Sequence, residues 1–149
     1  MVRAISLPVV ILAALGCLSA QEKSDKKEPS KLRLKVTYTG SGTVDAKHRV
    51  IAFLFDTPDF TQGGVIPFAS KSLTSKTQTV VFEDITADNV YIATAFTPDG
   101  SYDGQSGPPP SGASMGLYGK TPGTPDPVKM EPGKTSEAEV TFDDTAKMP

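Results

Sequence analysis

The 149-residue chain has no tryptophan, a single histidine and a single cysteine. Cys17 lies inside an apolar N-terminal run, so the rest of the chain can form no disulfide framework, zinc–thiolate site or cysteine nucleophile. His48 is the only imidazole available as a general base. Excess positive charge is also missing. Lys and Arg number 15 against 17 Asp and Glu, a formal net charge of -2. Loss of Arg3 with an N-terminal signal leaves 14 against 17, or -3. Such a chain lacks the basic footprint that nucleic-acid binding needs, and no nucleic-acid partner is expected. Runs of good helix formers are absent beyond the N-terminus. The 13 glycines, 13 prolines and many β-branched residues point instead to a sandwich or barrel.

Residues 1–20 follow the pattern of an export signal. Arg3 supplies the positive start, an apolar core runs from Leu7 to Leu15, and small residues close it. The apolar stretch is too short to span a bilayer. Two processing routes fit. Leu18-Ser19-Ala20 suits a cut before Gln21, whereas Ala14-Leu15-Gly16-Cys17 resembles a bacterial lipobox in which Cys17 is lipidated. The second route gives the only expected membrane contact, an N-terminal lipid anchor. The expected location is periplasmic, outer-membrane lipoprotein or secreted.

Residues 21–30 contain no large apolar side chain and read as a charged, disordered tether. One domain follows over residues 31–143, with 144–149 as a tail. Leu32, Leu34, Val36 and Tyr38 alternate with Arg33, Lys35, Thr37 and Thr39, the signature of a half-buried strand. Residues 49–55 are apolar on both faces, as in a central strand. Further strands are expected over 79–82, 89–96 and 137–142, with shorter ones within 65–73, 115–118 and 128–130. Residues 83–89 read as a compact turn in which Asn89 suits a left-handed backbone. The pattern implies an all-β domain, an antiparallel β-sandwich of about seven strands.

Residues 97–135 interrupt it. This Gly/Pro-rich segment includes Pro108-Pro109-Pro110. Loops of this length in small domains are functional or disordered.

Phe82-Glu83-Asp84-Ile85, then Asn89-Val90-Tyr91-Ile92-Ala93, then Asp99-Gly100-Ser101-Tyr102-Asp103-Gly104 form a connected pattern. It resembles exported prealbumin-like, carboxypeptidase-regulatory-like domains, whose pattern is Phe-x-x-Leu-Pro-x-Gly-x-Tyr-x-Val-x-Ala followed by an Asp/Asn/Gly loop. Here Thr86 replaces the proline and Asn89 the glycine. Gly116-Leu117-Tyr118-Gly119 is similar to the strand after that loop. The resemblance spans residues 31–142. It implies a sandwich fold and a non-catalytic accessory or binding module at the cell envelope.

Four sets of residues carry candidate chemistry. Gly112-Ala113-Ser114-Met115-Gly116 matches Gly-x-Ser-x-Gly, but a nucleophile elbow needs a strand–turn–helix and a base, and neither is in evidence around Ser114. Asp99 and Asp103, with Asp126, supply oxygens of the kind calcium takes, short of the six or more it needs. Without calcium, Asp99-Gly100 and Asp103-Gly104 read as turn dipeptides. Asp56 with Asp59, and Asp143 with Asp144, read as solvated acids rather than acid–base pairs. Tyr102 and Tyr118, together with Phe60 and Phe68, lie in or near loops and could form a binding platform or cover the end of a core. The expected function is a non-enzymatic envelope module. It binds a protein or glycan partner through residues 97–135, with Tyr102 and Tyr118 as ligand residues and calcium the one candidate cofactor. A spacer domain without a ligand, and a small hydrolase, are the alternatives.

Overall fold

The alternation of the first strand sets the architecture. In the computed structural model, which describes residues 26–149, Ser30–Tyr38 (β1) buries Leu32, Leu34, Val36 and Tyr38 and turns Lys31, Arg33 and Lys35 to solvent. The signal segment, Cys17 and the first half of the expected tether lie outside the described residues. The tether ends earlier than expected. Ser30 is already buried in β1, and its hydroxyl donates to the Ile85 carbonyl at 3.0 Å.

The other strands are Val50–Phe55 (β2), Ala69–Leu73 (β3), Thr77–Ile85 (β4), Asn89–Phe96 (β5), Ser114–Leu117 (β6), Val128–Lys129 (β7) and Thr135–Phe142 (β8). One sheet has the order β4-β1-β8 and the other β3-β2-β5-β6, with β7 pairing the start of β5. No α-helix occurs among the described residues. A single 3-10 turn, Pro58–Gln62, is capped by Thr57, whose side chain accepts from the Asp59 N–H. The all-β class and the two-sheet layering agree with the alternation in the sequence.

Two details differ from that reading. The sandwich is not wholly antiparallel, because β1 and β8 run parallel over eight paired positions, Lys31↔Thr135 to Tyr38↔Phe142. Parallel neighbours need a long crossover, and here the whole chain between them serves. The pairing aligns Arg33 with Glu137 and Lys35 with Glu139, and both pairs form ion contacts at 3.5 Å. Secondly, Glu83, Asp84 and Ile85 extend β4 rather than forming a turn. The left-handed residue is Asp84 (φ 57), not Asn89. Ser30 pairs with Ile85 but Leu32 pairs with Phe82, so an extra residue bulges here. Such bulges place a left-handed residue on the longer strand.

The interior lies between the sheets. Leu32, Leu34, Leu54, Leu73, Ile92 and Phe96 are fully enclosed there. Tyr38 joins them, its ring 4.5 Å from Phe96 and 5.2 Å from Phe142. Truncating a leucine in such a core costs about 2–5 kcal/mol. A second apolar cluster sits on the opposite face of the β2–β5–β6 sheet. Ile51, Phe53, Phe55, Ala93 and Ala95 point outward there and are covered by Tyr102, Phe60 and Val65. This explains why β2 and β5 are apolar on both faces: each is sandwiched between the main core and a folded loop.

Candidate functional site

The long segment, 97–135, divides into three parts with different roles. Residues 97–113 lie over the second apolar cluster. Tyr102 is 7% exposed, its ring centroid is 6.2 Å from that of Phe53, and its hydroxyl donates to the Gly107 carbonyl at 2.8 Å. Gly104 (φ 79) presses its backbone onto the sheet: a Cβ there would stand 2.7 Å from Ile51 Cγ2. Tyr102, expected as a ligand residue, is therefore a core cover, with no free face or hydroxyl to offer.

The acidic residues of this part turn inward on their own loop. Asp99 Oδ1 accepts from the Ser101 N–H (3.0 Å) and hydroxyl (2.7 Å). Asp103 Oδ1 accepts from the N–H groups of Gln105 and Ser106 and from the Ser106 hydroxyl. The N–H donors of Ser101 and Gln105 are the leading causes that lower the two carboxyls. Asp126 is engaged elsewhere, where its Oδ2 accepts from the Lys120 N–H at 2.8 Å. The calcium set proposed from sequence does not assemble. Among the described residues no three His, Cys, Asp or Glu side chains come together in a metal-holding group. Asx turns account for Asp99 and Asp103.

Ser114 belongs to a polar cluster that the sequence spacing does not reveal. Its Oγ donates to Asp144 Oδ1 at 2.6 Å and accepts from Lys147 Nζ at 2.8 Å. The Tyr38 hydroxyl donates to the same Asp144 oxygen at 2.5 Å and accepts from the Gly42 N–H at 3.2 Å. Ser41 gives its N–H (2.9 Å) and its hydroxyl (3.2 Å) to Asp144 Oδ2. Asp144, read from sequence as a solvated tail residue, is thus the acceptor that joins β1, β6 and the C-terminus. The Ser114 hydroxyl, then Tyr38, then the Ser41 N–H hold its carboxyl far below the usual range. Burial first, and then Asp144, raise the Tyr38 phenol.

Ser114 itself is fully buried, and its hydroxyl is held between the Asp144 carboxylate and the Lys147 ammonium, with no imidazole beside it. Lys147 also faces Asp144, at 3.6 Å. His48 is occupied by Asp45 at 2.9 Å. The glycines of the Gly-x-Ser-x-Gly match have a conformational reason at one position and a packing reason at the other. Gly112 adopts φ 85, and a Cβ on Gly116 would lie 2.5 Å from Thr94 Oγ1 and 2.6 Å from Phe142 Cβ.

The third part, residues 118–127, forms a groove of about 510 Å³ with the border of the other sheet. Leu117, Tyr118, Lys120, Asp126 and Pro127 line one side, and Glu139, Val140 and Thr141 of β8 line the other. Tyr118 is half-buried against the main core and presents its remaining surface here. Of the two tyrosines singled out by sequence, it is the one left accessible.

The backbone of β8 makes this groove chemically distinct. The Thr39 N–H donates to the Phe142 carbonyl (2.9 Å) and the Lys31 N–H to the Lys134 carbonyl (3.0 Å). Even-numbered residues of β8 therefore aim their backbone groups at β1. Odd-numbered Glu137, Glu139 and Thr141 aim theirs the other way, where among the described residues no strand pairs with β8. The unpaired donors and acceptors of Glu139 and Thr141 lie along the groove. Sequence alternation showed which side chains of β8 face the core, but not which border of the strand stays open.

The remaining loop aromatics divide similarly. Phe60 stacks on Phe55 with centroids 4.1 Å apart, whereas Phe68 is 45% exposed beside Ile66 at 87%. A scan of family models, a search of curated proteins and a search of solved structures each found no match to this chain.

Proposed function

We propose that this protein is a non-enzymatic, exported cell-envelope module of prealbumin-like type. It binds a protein or glycan partner in the groove between residues 118–127 and β8. One observation carries the reading: residues 118–127 of the long segment form a groove along a strand border whose backbone groups are unpaired among the described residues. Such a border is a ready-made recognition surface. The prealbumin-like assignment is supported by the motif residues, since Phe82, Ile85 and Ala93 are all buried on β4 and β5. Export, whether as a soluble protein or anchored through Cys17, is supported by the sequence of residues 1–20. Mass spectrometry of the mature N-terminus distinguishes a lipidated Cys17 from Gln21.

The binding reading is tested in cells. A photo-crosslinking residue at Lys120 in the full chain should trap a discrete adduct in the envelope fraction. The same residue at Thr61, on a different surface loop, should not. Equal labelling from both positions, or none from Lys120, overturns the proposal. The second outcome favours the spacer reading, for which the tied-down 97–113 loop and the ion-paired outer face of β1 and β8 speak.

A further inference from the structure

We infer that the groove takes an extended peptide segment that adds as a fourth strand beside β8, and that it selects basic residues alternating with apolar ones. The inference rests on the binding reading above and names its partner. The unpaired N–H and C=O groups of Glu137, Glu139 and Thr141 repeat every second residue, the spacing at which an added strand forms its hydrogen bonds. The side chains of the same residues stand on the solvent face, so two carboxylates flank the site at Glu137 and Glu139. Each is already matched from the other side by β1: Arg33 opposite Glu137 and Lys35 opposite Glu139, at 3.5 Å. An incoming strand with Lys or Arg at every second position would repeat that arrangement on the open border. Opposite charges on facing strands stabilise pairing, and like charges oppose it. The alternate residues would point inward, where the half-buried Leu117 and Tyr118 offer apolar surface.

The charge pattern also argues against a second copy of β8 as the occupant. An antiparallel pair centred on Glu139 sets the two copies of Glu139 opposite each other. A pair centred on Thr141 sets Glu139 opposite Asp143 of the other copy. Both place acid against acid.

The test uses a synthetic peptide with the sequence of residues 31–38, Lys-Leu-Arg-Leu-Lys-Val-Thr-Tyr, which carries the required alternation. It is added to the full chain, and backbone amide exchange is followed residue by residue. The amides of Glu137, Glu139 and Thr141 should exchange quickly alone and slow at least about tenfold with peptide, while Ala138 and Val140 stay protected throughout. Glu139→Lys should weaken the peptide about tenfold, and a peptide with Glu at the basic positions should regain affinity for that variant. Binding without slowed exchange at the three odd-numbered amides overturns strand addition but leaves the groove as a binding site. Equal affinity for a scrambled peptide, or no binding, also overturns it. The cellular crosslink from Lys120 then decides separately whether the groove binds anything.

Discussion

The two sheets of this sandwich end in different ways. β6 closes one sheet, and the last residues of the chain cover it: the Met115 N–H donates to the Ala146 carbonyl, the Met148 N–H to Ala113, and the Gly112 N–H to Met148, each at 2.8 Å. β8 closes the other sheet and has no such cover among the described residues. The outer strands β3 and β4 carry protections of their own, since β3 has only five residues with Lys71 exposed, and β4 is bulged at Asp84. Exposed borders invite unwanted pairing, and proteins blunt them by shortness, charge, bulges or covering segments. Here β8 has eight residues and only the charges of Glu137 and Glu139. Charge excludes like-charged strands while leaving room for an opposite one. The β6 border is sealed for stability, and the β8 border is left selective.

If the sealed border depends on Asp144, removing that carboxylate should have the largest effect. Asp144→Ala leaves the Tyr38 and Ser114 hydroxyls without their acceptor and frees the Ser41 N–H. Unsatisfied buried polar groups cost about 1–3 kcal/mol each, so a loss of about 3 kcal/mol is expected. A thermal melt should show Tm lower by about 10 °C or more. A change below about 1 kcal/mol would mean that the tail is not anchored as described.

Removing residues 146–149 keeps Asp144 but strips the cover from β6. The loss should be smaller, about 2 kcal/mol, for three backbone bonds and the Lys147 contacts. Amide exchange at Met115 should become fast, while β8 is unchanged. The two borders would then behave alike.

Acid should act on the same anchor. The Asp144 carboxyl titrates far lower in the folded protein than the value of about 3.9 expected when unfolded. A depressed folded value means that the contribution is complete well above the unfolded value and is lost as pH falls below about 4. Asp45, Asp99 and Asp103 are lowered too, so the wild-type protein alone cannot isolate the effect. The difference in stability between wild type and Asp144→Asn can, because the other groups are common to both. Chemical denaturation at a series of pH values should show that difference narrowing from about pH 6 towards pH 2. A constant difference would assign the stabilisation to something other than the carboxylate charge.

How much of this was legible in the sequence follows from the range of each interaction. Period-2 alternation located β1 and β8, and doubly apolar runs located β2 and β5, because burial is written into each strand locally. The same runs implied cover on two sides, but not that Tyr102 and Phe60 supply it. The parallel pairing of β1 with β8 could not be read, since neither strand's pattern records its neighbour's direction. Asp144 was read as a solvated acid because its partners, Tyr38 and Ser41, lie more than 100 residues away. Asp99 and Asp103 had the right composition for a metal loop, but a short acidic side chain beside Ser or Gly satisfies its own backbone first. Of the two tyrosines, only the fold distinguishes Tyr102, which closes a core, from Tyr118, which lines the groove.

The smallest effect expected is on the open border, and it is the one that isolates β8. Proline removes a backbone donor, which matters only where that donor is used. Thr141→Pro removes an N–H that faces the groove, so stability should fall by no more than about 1 kcal/mol. Val140→Pro, one residue away, removes an N–H aimed at β1 and adds a buried misfit, and should cost about 3 kcal/mol or more. Denaturant midpoints of the two variants measure the contrast directly. Similar losses would show that the backbone of Thr141 is paired and that β8 has no open border. A large gap with Thr141→Pro folded would leave a protein in which one donor of the groove has been deleted. In that variant the basic peptide should bind more weakly although every side chain but one is unchanged.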